Sequence, residues 1–455
     1  MVPASSAGAG EFRIGFLDPL FGDPEPETRA LWLDRAQDSR SQLIRLTVGW
    51  AFVAGSNPPT DPTSPSDPSY NFAAIDRAVR DAAARGLRVM LTIGHAPTWA
   101  EGSGRPGLDV APPGSWKPDP HAYGEFATAV ASRYSGTFDP PGAQAVLPRV
   151  GYFQALNEPN LATYLTPQWK RRRPASPSHY KRLLNAFYPS VKAVNPSNVV
   201  ISAGTAPYGS RPGGRSVRPL RFWQSILCLA RKRGKLRSRR CRNPARADVV
   251  AHHPITGRPR SRAAHRGDAT IPELRKIRRM VRKAERARNV LPAGRRPLWV
   301  TELWWETDPP DRFATVSLRQ QARWIAESFY LIWKQGIRTT ILFLIRDQPV
   351  IRGNPFATYQ TGVYRASGKP KPSLRAVRFP FVTERRSSRK LTAWGKAPRT
   401  GPVVIQVKRR GKWHGLRGVR GRAGKVFKTT VRVRGRATLR ARVGGTKSLA
   451  WRQRR

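Results

Sequence analysis

Val150-Gly151-Tyr152-Phe153-Gln154-Ala155-Leu156-Asn157-Glu158-Pro159-Asn160 is the stretch whose reading decides the fold. Its first half is a short run of apolar and β-forming residues, the pattern of a strand covered on both faces. Pro159 lacks a backbone N–H and turns the residue before it away from helical backbone. The strand therefore ends there and leaves the Glu158 carboxylate at its mouth. A carboxylate in that position costs free energy unless it is partnered or used. Pro297-Leu298-Trp299-Val300-Thr301-Glu302-Leu303-Trp304-Trp305 repeats the arrangement around Glu302.

Outward from these two stretches, strand-like runs recur at residues 12–17, 43–50, 88–94, 198–204, 248–254 and 339–345. Apolar residues at helical spacing fill the intervals 27–40, 72–85, 120–134, 178–194, 220–229, 271–288 and 318–335. Ser178 reads as a helix cap, and Gly86 and Gly336 as helix stops. Eight buried strands alternating with helices predict an α/β fold, specifically a (β/α)8 TIM barrel with long loops. An open doubly wound sheet is the competing arrangement, and no Gly-rich phosphate turn follows the early strands to support it.

From Phe379 the texture changes to short β-branched segments at 402–407, 425–433, 437–443 and 448–451. This predicts a small all-β, sandwich-like module. The expected organisation is a disordered N-terminal segment over 1–11, the barrel over 12–378 and the basic β module over 379–455. Glu384 is the only acidic residue of that module.

The 455 residues carry 83 Lys and Arg against 28 Asp and Glu, a formal net charge of +55. Such a balance suits a polyanionic partner, an anionic polysaccharide or a cell-envelope surface, or else reflects an Arg-rich composition spread over solvated faces. The β module has no zinc-ligand spacing, helix-turn-helix or aromatic ribonucleoprotein motif, so no specific nucleic-acid partner is expected. The basic stretch 271–288 reads as a solvated outer helix face. Cys228 and Cys241 flank a basic loop, either as a disulfide, which implies an oxidising compartment, or as two reduced thiols. Met1 to Gly10 has small residues but neither a basic start nor an apolar core, so it is not a complete signal peptide. No run of about 18 apolar residues predicts a membrane span.

Barrel sites are built where strands give way to loops. The polar and aromatic residues predicted there are Arg45 and Trp50, His95 and Trp99, Asn157 and Glu158, Tyr208, His252 and His253, Glu302 with Trp304 and Trp305, and Arg346 with Asp347; Asp18 ends the first strand. Strands four and seven face each other, so their two carboxylates can meet across the mouth. Cleavage of a glycosidic bond needs such a pair, one protonated to assist the leaving oxygen and one ionised. A separation of roughly 5 Å lets the second attack and configuration is retained. Trp50 and Trp99 read equally as sugar platforms or as loop packing. His252 reads equally as a core or a site residue.

On these residues the chain resembles the clan A glycoside hydrolases, above all the family 39 and family 5 cellulase-like barrels, over roughly residues 12–380. Leu156-Asn157-Glu158-Pro159-Asn160 is similar to the clan's strand-four signature. The resemblance implies Glu158 as acid/base, with Asn157 on the sugar 2-hydroxyl. It implies Glu302, in Thr301-Glu302, as nucleophile. Arg45 is similar to the arginine supporting the nucleophile, His95 to a sugar-contacting histidine, and His253 to the strand-six residue that orients the nucleophile. The segment Gly368-Lys369-Pro370-Lys371-Pro372-Ser373 is similar to the close of many such barrels. The clan's strand-eight tryptophan is missing from Phe343-Leu344-Ile345-Arg346-Asp347, so that either Trp304 or Trp305 replaces it or the substrate contacts differ. The implied function is a retaining glycosidase acting on a β-linked oligo- or polysaccharide, with no cofactor and no metal, outside the cell or at its surface. The alternative is a non-catalytic glycan- or envelope-binding protein on the same scaffold.

Overall fold

The computed structural model describes residues 11–142, 145–310, 316–351, 353–354 and 357–453. The segment expected to be disordered lies outside these residues except for Glu11, which instead bridges to Lys425.

Eight parallel strands form the centre. They are β1 Arg13–Leu17, β2 Leu43–Gly49, β3 Arg88–Gly94, β4 Tyr152–Ala155, β5 Val199–Thr205, β6 Val249–His252, β7 Leu298–Val300 and β8 Thr339–Phe343. They pair in chain order and close into a barrel where β1 meets β8, in register from Arg13 opposite Thr339 to Leu17 opposite Phe343. Helices follow the strands in turn: α1 Pro26–Asp38, α2 Ala73–Ala84, α3 Pro120–Arg133, α4 Ser176–Val194, α5 Pro219–Ile226, α6 Leu274–Arg286, α7 Leu318–Lys334 and α8 Pro372–Arg378. The TIM-barrel expectation holds.

Strand alternation builds the interior in layers. Leu43, Met90, Val249, Trp299 and Ile341 form one apolar cluster with Tyr152 against it. Their neighbours Ile44, Leu91, Phe153, Val250, Val300 and Leu342 join the larger core that includes the helices. Two residues further along β2, β3, β4 and β7 stand Arg45, Thr92, Gln154 and Thr301, all buried. A polar layer thus rests on an apolar one at the strands' C-terminal ends.

Two local expectations need correction. Helix α4 begins at Ser176, not after Ser178, and uses no side-chain cap. Pro177 in its first turn has no N–H to leave unpaired, while Ser176 Oγ donates to Gln168 Oε1 at 3.0 Å. Trp50 does not continue β2 but opens a short helix, Trp50–Ala54.

The C-terminal module holds two antiparallel sheets. Its strands are β9 Phe381–Arg385, β10 Lys390–Lys396, β11 Gly401–Arg409, β12 Lys412–Gly421, β13 Val426–Arg432, β14 Ala437–Val443, β15 Thr446–Lys447 and β16 Trp451–Gln453. One sheet runs β9-β10-β13 and the other β12-β11-β14-β15, with β16 also on β14. Trp394 of β10 packs on Phe12, just before β1, and on Tyr330 and Trp333 of α7. Glu384 accepts from Tyr330 Oη at 2.7 Å and Lys334 Nζ at 2.8 Å. The module therefore packs on the entry end of β1 and on the helix behind it. Cys228 and Cys241 form a disulfide across the hairpin that follows α5.

Candidate active site

The polar layer is one connected network. Arg45 Nε donates to Thr92 Oγ1 at 2.8 Å, and Thr92 Oγ1 donates to Gln154 Oε1 at 3.0 Å. Gln154 Nε2 reaches Thr301 Oγ1 at 3.3 Å and Ser202 O at 3.0 Å. Arg45 Nη2 donates to Asn157 Oδ1 at 2.7 Å, while Nη1 meets Thr301 O at 3.2 Å and Glu302 Oε2 at 3.4 Å. A buried guanidinium with this many acceptors sets the side chains of both strand-end stretches from below.

Backbone geometry presents Glu158. Leu156 and Glu158 both adopt left-handed backbone, with φ of 63° and 35°. Non-glycine residues rarely do so, and surrounding contacts must hold them there. Glu158 N donates to Gly204 O at 3.0 Å. Asn160, fully buried, accepts from Ala206 N at 2.8 Å and donates to Val217 O at 3.1 Å. The last residue of Asn-Glu-Pro-Asn thus pins the loop and does not face the cleft. Gly204 is required for close approach, since a Cβ there would overlap His253 Nε2.

His253 is completely buried between the carboxylates. Its Nδ1 lies 2.8 Å from Glu158 Oε1 and 3.8 Å from Glu302 Oε2, and its Nε2 lies 3.0 Å from Thr301 Oγ1. Burial pushes the imidazole down to about 3, against the pull of Glu302, so the ring is neutral at ordinary pH. Thr301 receives Gln154 and can give its proton to Nε2. The network therefore assigns Nδ1–H as the donor to Glu158.

The two carboxyls differ. Burial raises Glu158 to about 7, with Arg45 opposing. Glu302 is also raised, by burial first and by Glu158, while His253, Arg45 and the Trp304 indole pull it back. Trp304 Nε1 donates to Glu302 Oε1 at 3.3 Å. Glu302 has two donors, Arg45 and the Trp304 indole, against one for Glu158, His253 Nδ1–H. The adjacent charge of Arg45 favours the anion on Glu302 and leaves the proton with Glu158. A ligating atom from each of Glu158, His253 and Glu302 lies within 4.8 Å of the other two. A metal ion could be held by three such atoms, but Arg45 already sets a cation against Glu302 and His253 is hydrogen-bonded to Glu158.

The remaining candidates divide. Trp304 lines the mouth beside Phe343 and Tyr359, with ring centroids 6.4 and 5.9 Å away. Tyr208 is 60% exposed at the rim, and its phenol is raised by partial burial and by the charge of Glu158. His95 stands at the end of β3 with its ring 5.8 Å from Tyr164. Two residues expected to bind substrate belong to the core instead. Trp50 is 1% exposed, stacked on Phe126 at 5.5 Å and edge-on to Trp99 at 5.6 Å. Trp305 is 4% exposed, with Nε1 donating to Thr256 O at 2.6 Å and its ring against Trp324. His252 is structural: Nδ1 meets Thr205 Oγ1 and Nε2 meets Ala269 O, both at 2.8 Å. Asp347 forms a buried ion pair with Lys371 at 2.7 Å, which ties the Gly-Lys-Pro-Lys-Pro-Ser segment to the end of β8. Asp18 accepts Leu20 N and Ile345 N, both at 2.9 Å.

Sequence reading missed Thr301, Tyr164 and Tyr359. Thr301 precedes Glu302 and faces into the barrel by simple alternation, a signal that was present. Tyr164 hydrogen-bonds Asn157 and feels both carboxylates, which raise its phenol further after burial. It lies in a loop without periodicity, as does Tyr359.

Fold and site together define a (β/α)8 barrel with two carboxylates facing each other at the ends of strands four and seven. Solved structures of similar fold include a family 39 glycoside hydrolase from the gut symbiont Bacteroides cellulosilyticus WH2. It shows 16% identity, 93% of this chain and 81% of that chain covered, and a TM-score of 0.56. They include a glucosidase from Croceicoccus marinus, with 14% identity, 95% of each chain covered and a TM-score of 0.52. A GH5_18 protein from Streptomyces cattleya in complex with GlcNAc shows 14% identity, 81% and 79% coverage and a TM-score of 0.51. At these identities the likeness is one of fold. No protein-family model and no curated protein matches the sequence.

Proposed function

We propose that this protein is a retaining glycoside hydrolase that cleaves a β-linked oligo- or polysaccharide by double displacement. The observation carrying this reading is the approach of a Glu158 oxygen to a Glu302 oxygen within 4.8 Å. That spacing suits direct attack and leaves too little room for the intervening water of an inverting enzyme, whose carboxyls lie about 6.5–9.5 Å apart. The difference between the two carboxyls assigns the parts. Glu302, steadied by Arg45 and Trp304, attacks the anomeric carbon as the glycosidic bond breaks. Glu158 gives its proton to the departing oxygen. In the second step Glu158, now ionised, takes a proton from water, whose oxygen attacks the anomeric carbon and releases Glu302. Two inversions leave the original configuration.

Asn157 fits the 2-hydroxyl role because Arg45 occupies its carbonyl oxygen and leaves its amide N–H groups as the donors, next to Tyr164. Trp304, Tyr208 and Tyr359 offer rim aromatics for sugar faces. The disulfide supports residence in an oxidising, extracellular or surface compartment. The exposed cations of the β module support contact with an anionic surface polymer. Assaying a panel of aryl β-glycosides and polysaccharides with the wild type, Glu158→Gln and Glu302→Gln tests the reading. We expect turnover that falls at least about a thousandfold in Glu302→Gln. Undetectable wild-type turnover across the panel would leave the scaffold without this activity.

A further inference from the structure

Past Glu158, the same loop forms a small hairpin in which Trp169–Lys170 pairs with Arg173–Pro174 around Arg171 and Arg172. Its base is tied to the catalytic loop, since Gln168 Nε2 donates to Pro159 O at 3.0 Å. The loop leaving β3 runs beside it, with Lys117 N donating to Thr166 O at 2.9 Å. Between hairpin, loop and the first turns of α4 lies a groove of about 1190 Å³. Two half-buried indoles line it, Trp116 and Trp169. Each uses its N–H on a backbone carbonyl, Ser103 O at 3.0 Å and Ser216 O at 3.1 Å, which fixes the ring planes.

The groove is strongly cationic. Lys117, Lys170, Arg171, Arg172, Arg173 and Arg182 line it, all exposed. None of them takes part in a salt bridge among the described residues. Asp119 close by is engaged by the backbone N–H groups of His121 and Ala122 as the cap of α3. His179 is held neutral, pushed down to about 4 by burial. Cations gathered without counter-charges repel one another, and a bound anion relieves that repulsion. The exposed arginines of α6, by contrast, stand on an open helix face.

We propose that this groove receives the leaving-group side of an anionic glycan, a chain whose sugars carry carboxylate or sulfate groups. Three observations converge. Guanidinium forks match the oxygens of carboxylate and sulfate. Fixed indoles, over which Lys117 and Arg221 lie 4.3 and 5.1 Å from the ring centroids of Trp116 and Trp169, offer a pyranose the face opposite the cation. The groove is rooted one residue beyond Glu158, the group that serves the departing oxygen, so the departing part of the chain is the part led over the hairpin. The inference rests on the glycosidase reading for the direction of the chain, and on the groove alone for the charge of the ligand.

The test measures binding without turnover. Full-length Glu302→Gln protein is run by affinity electrophoresis through gels containing alginate, dextran sulfate or neutral β-glucan, at about 0.15 M salt to suppress weak surface attraction. Two further backgrounds remove equal charge: Arg171→Gln/Arg172→Gln/Arg173→Gln in the hairpin and Arg275→Gln/Arg279→Gln/Arg282→Gln on α6. The hairpin substitutions should weaken binding to the anionic glycan at least about tenfold and the α6 substitutions less than about twofold. Stronger retention by alginate assigns carboxylate, and by dextran sulfate assigns sulfate. Equal weakening by both sets would reduce the effect to net charge and overturn the proposal. So would stronger hairpin-dependent binding of a single-stranded oligonucleotide than of either glycan. Because no hydrolysis is read, loss of the glycosidase reading and loss of this one are separate results.

Discussion

His253 Nδ1 stands 2.8 Å from Glu158 and 3.8 Å from Glu302, so the buried imidazole of strand six holds the proposed proton donor more closely than the nucleophile. The resemblance to clan A implied service to the nucleophile. As a neutral donor to the ionised carboxylate, His253 favours the charged form of Glu158. Removing it in His253→Ala should move the basic limb of kcat/KM to higher pH and lower kcat by about a hundredfold. A pH–rate profile of the variant reads both. An unshifted limb would show that His253 only fills space.

Burial raises Glu158 to about 7, and this has a sign for stability as well as for rate. The folded state binds the proton more tightly than the unfolded chain, so stability is fully present below the ordinary carboxyl value near 4.5 and is lost as pH rises through about 7. Glu158→Gln should therefore stabilise the fold more at pH 8 than at pH 5, by about 2–3 kcal/mol, read as a larger rise in melting temperature at the higher pH. In the wild type, kcat/KM should fall as pH rises through about 7, where the acid loses its proton.

Arg45 is buried under Glu302 and Asn157 with four acceptors around it. Arg45→Met would leave those groups unpaired in the barrel. The expected results are a loss of about 3–5 kcal/mol in denaturant unfolding and a rate loss larger than that from Arg45→Lys.

Trp304 and Trp305 are adjacent in sequence but opposite in place. Trp304→Ala should raise KM about tenfold while leaving the melting temperature within a few degrees. Trp305→Ala should cost about 3–5 kcal/mol of stability with KM unchanged in the folded fraction. Thermal melts and steady-state kinetics on the two proteins distinguish them.

That pair also marks where the sequence stops being legible. The barrel could be read because each strand is a compact β-forming run with helical sequence behind it, and because Pro159 places Glu158 at a strand end. Arg45 and Glu302 followed from the same placement together with the resemblance. Strand pairing ceases at Val300 and alternation carries only one residue further, to Thr301, so nothing local separates Trp304 from Trp305. Trp50 misled for the same reason, because a short helix begins where the strand was extended. Tyr164 and Tyr359 reach the cleft only through loop paths set by tertiary contacts. In the β module, Lys412–Gly421 escaped reading because most of the strand is exposed and carries Gly and Arg in place of an apolar face.

If Glu302 is the nucleophile and Glu158 the acid/base, azide should rescue their small variants differently. Glu302→Gly with azide should give the glycosyl azide of inverted configuration, and Glu158→Gly the retained one. Product configurations by NMR read the assignment directly. Exchanged outcomes would exchange the two roles.

The central claim is direct attack across a gap of less than 5 Å between Glu158 and Glu302. Proton NMR of the wild-type enzyme acting on its best β-glycoside, recorded before the sugar mutarotates, tests it most directly. The account predicts that the β hemiacetal appears first and the α form later by equilibration. First appearance of the α anomer would contradict it.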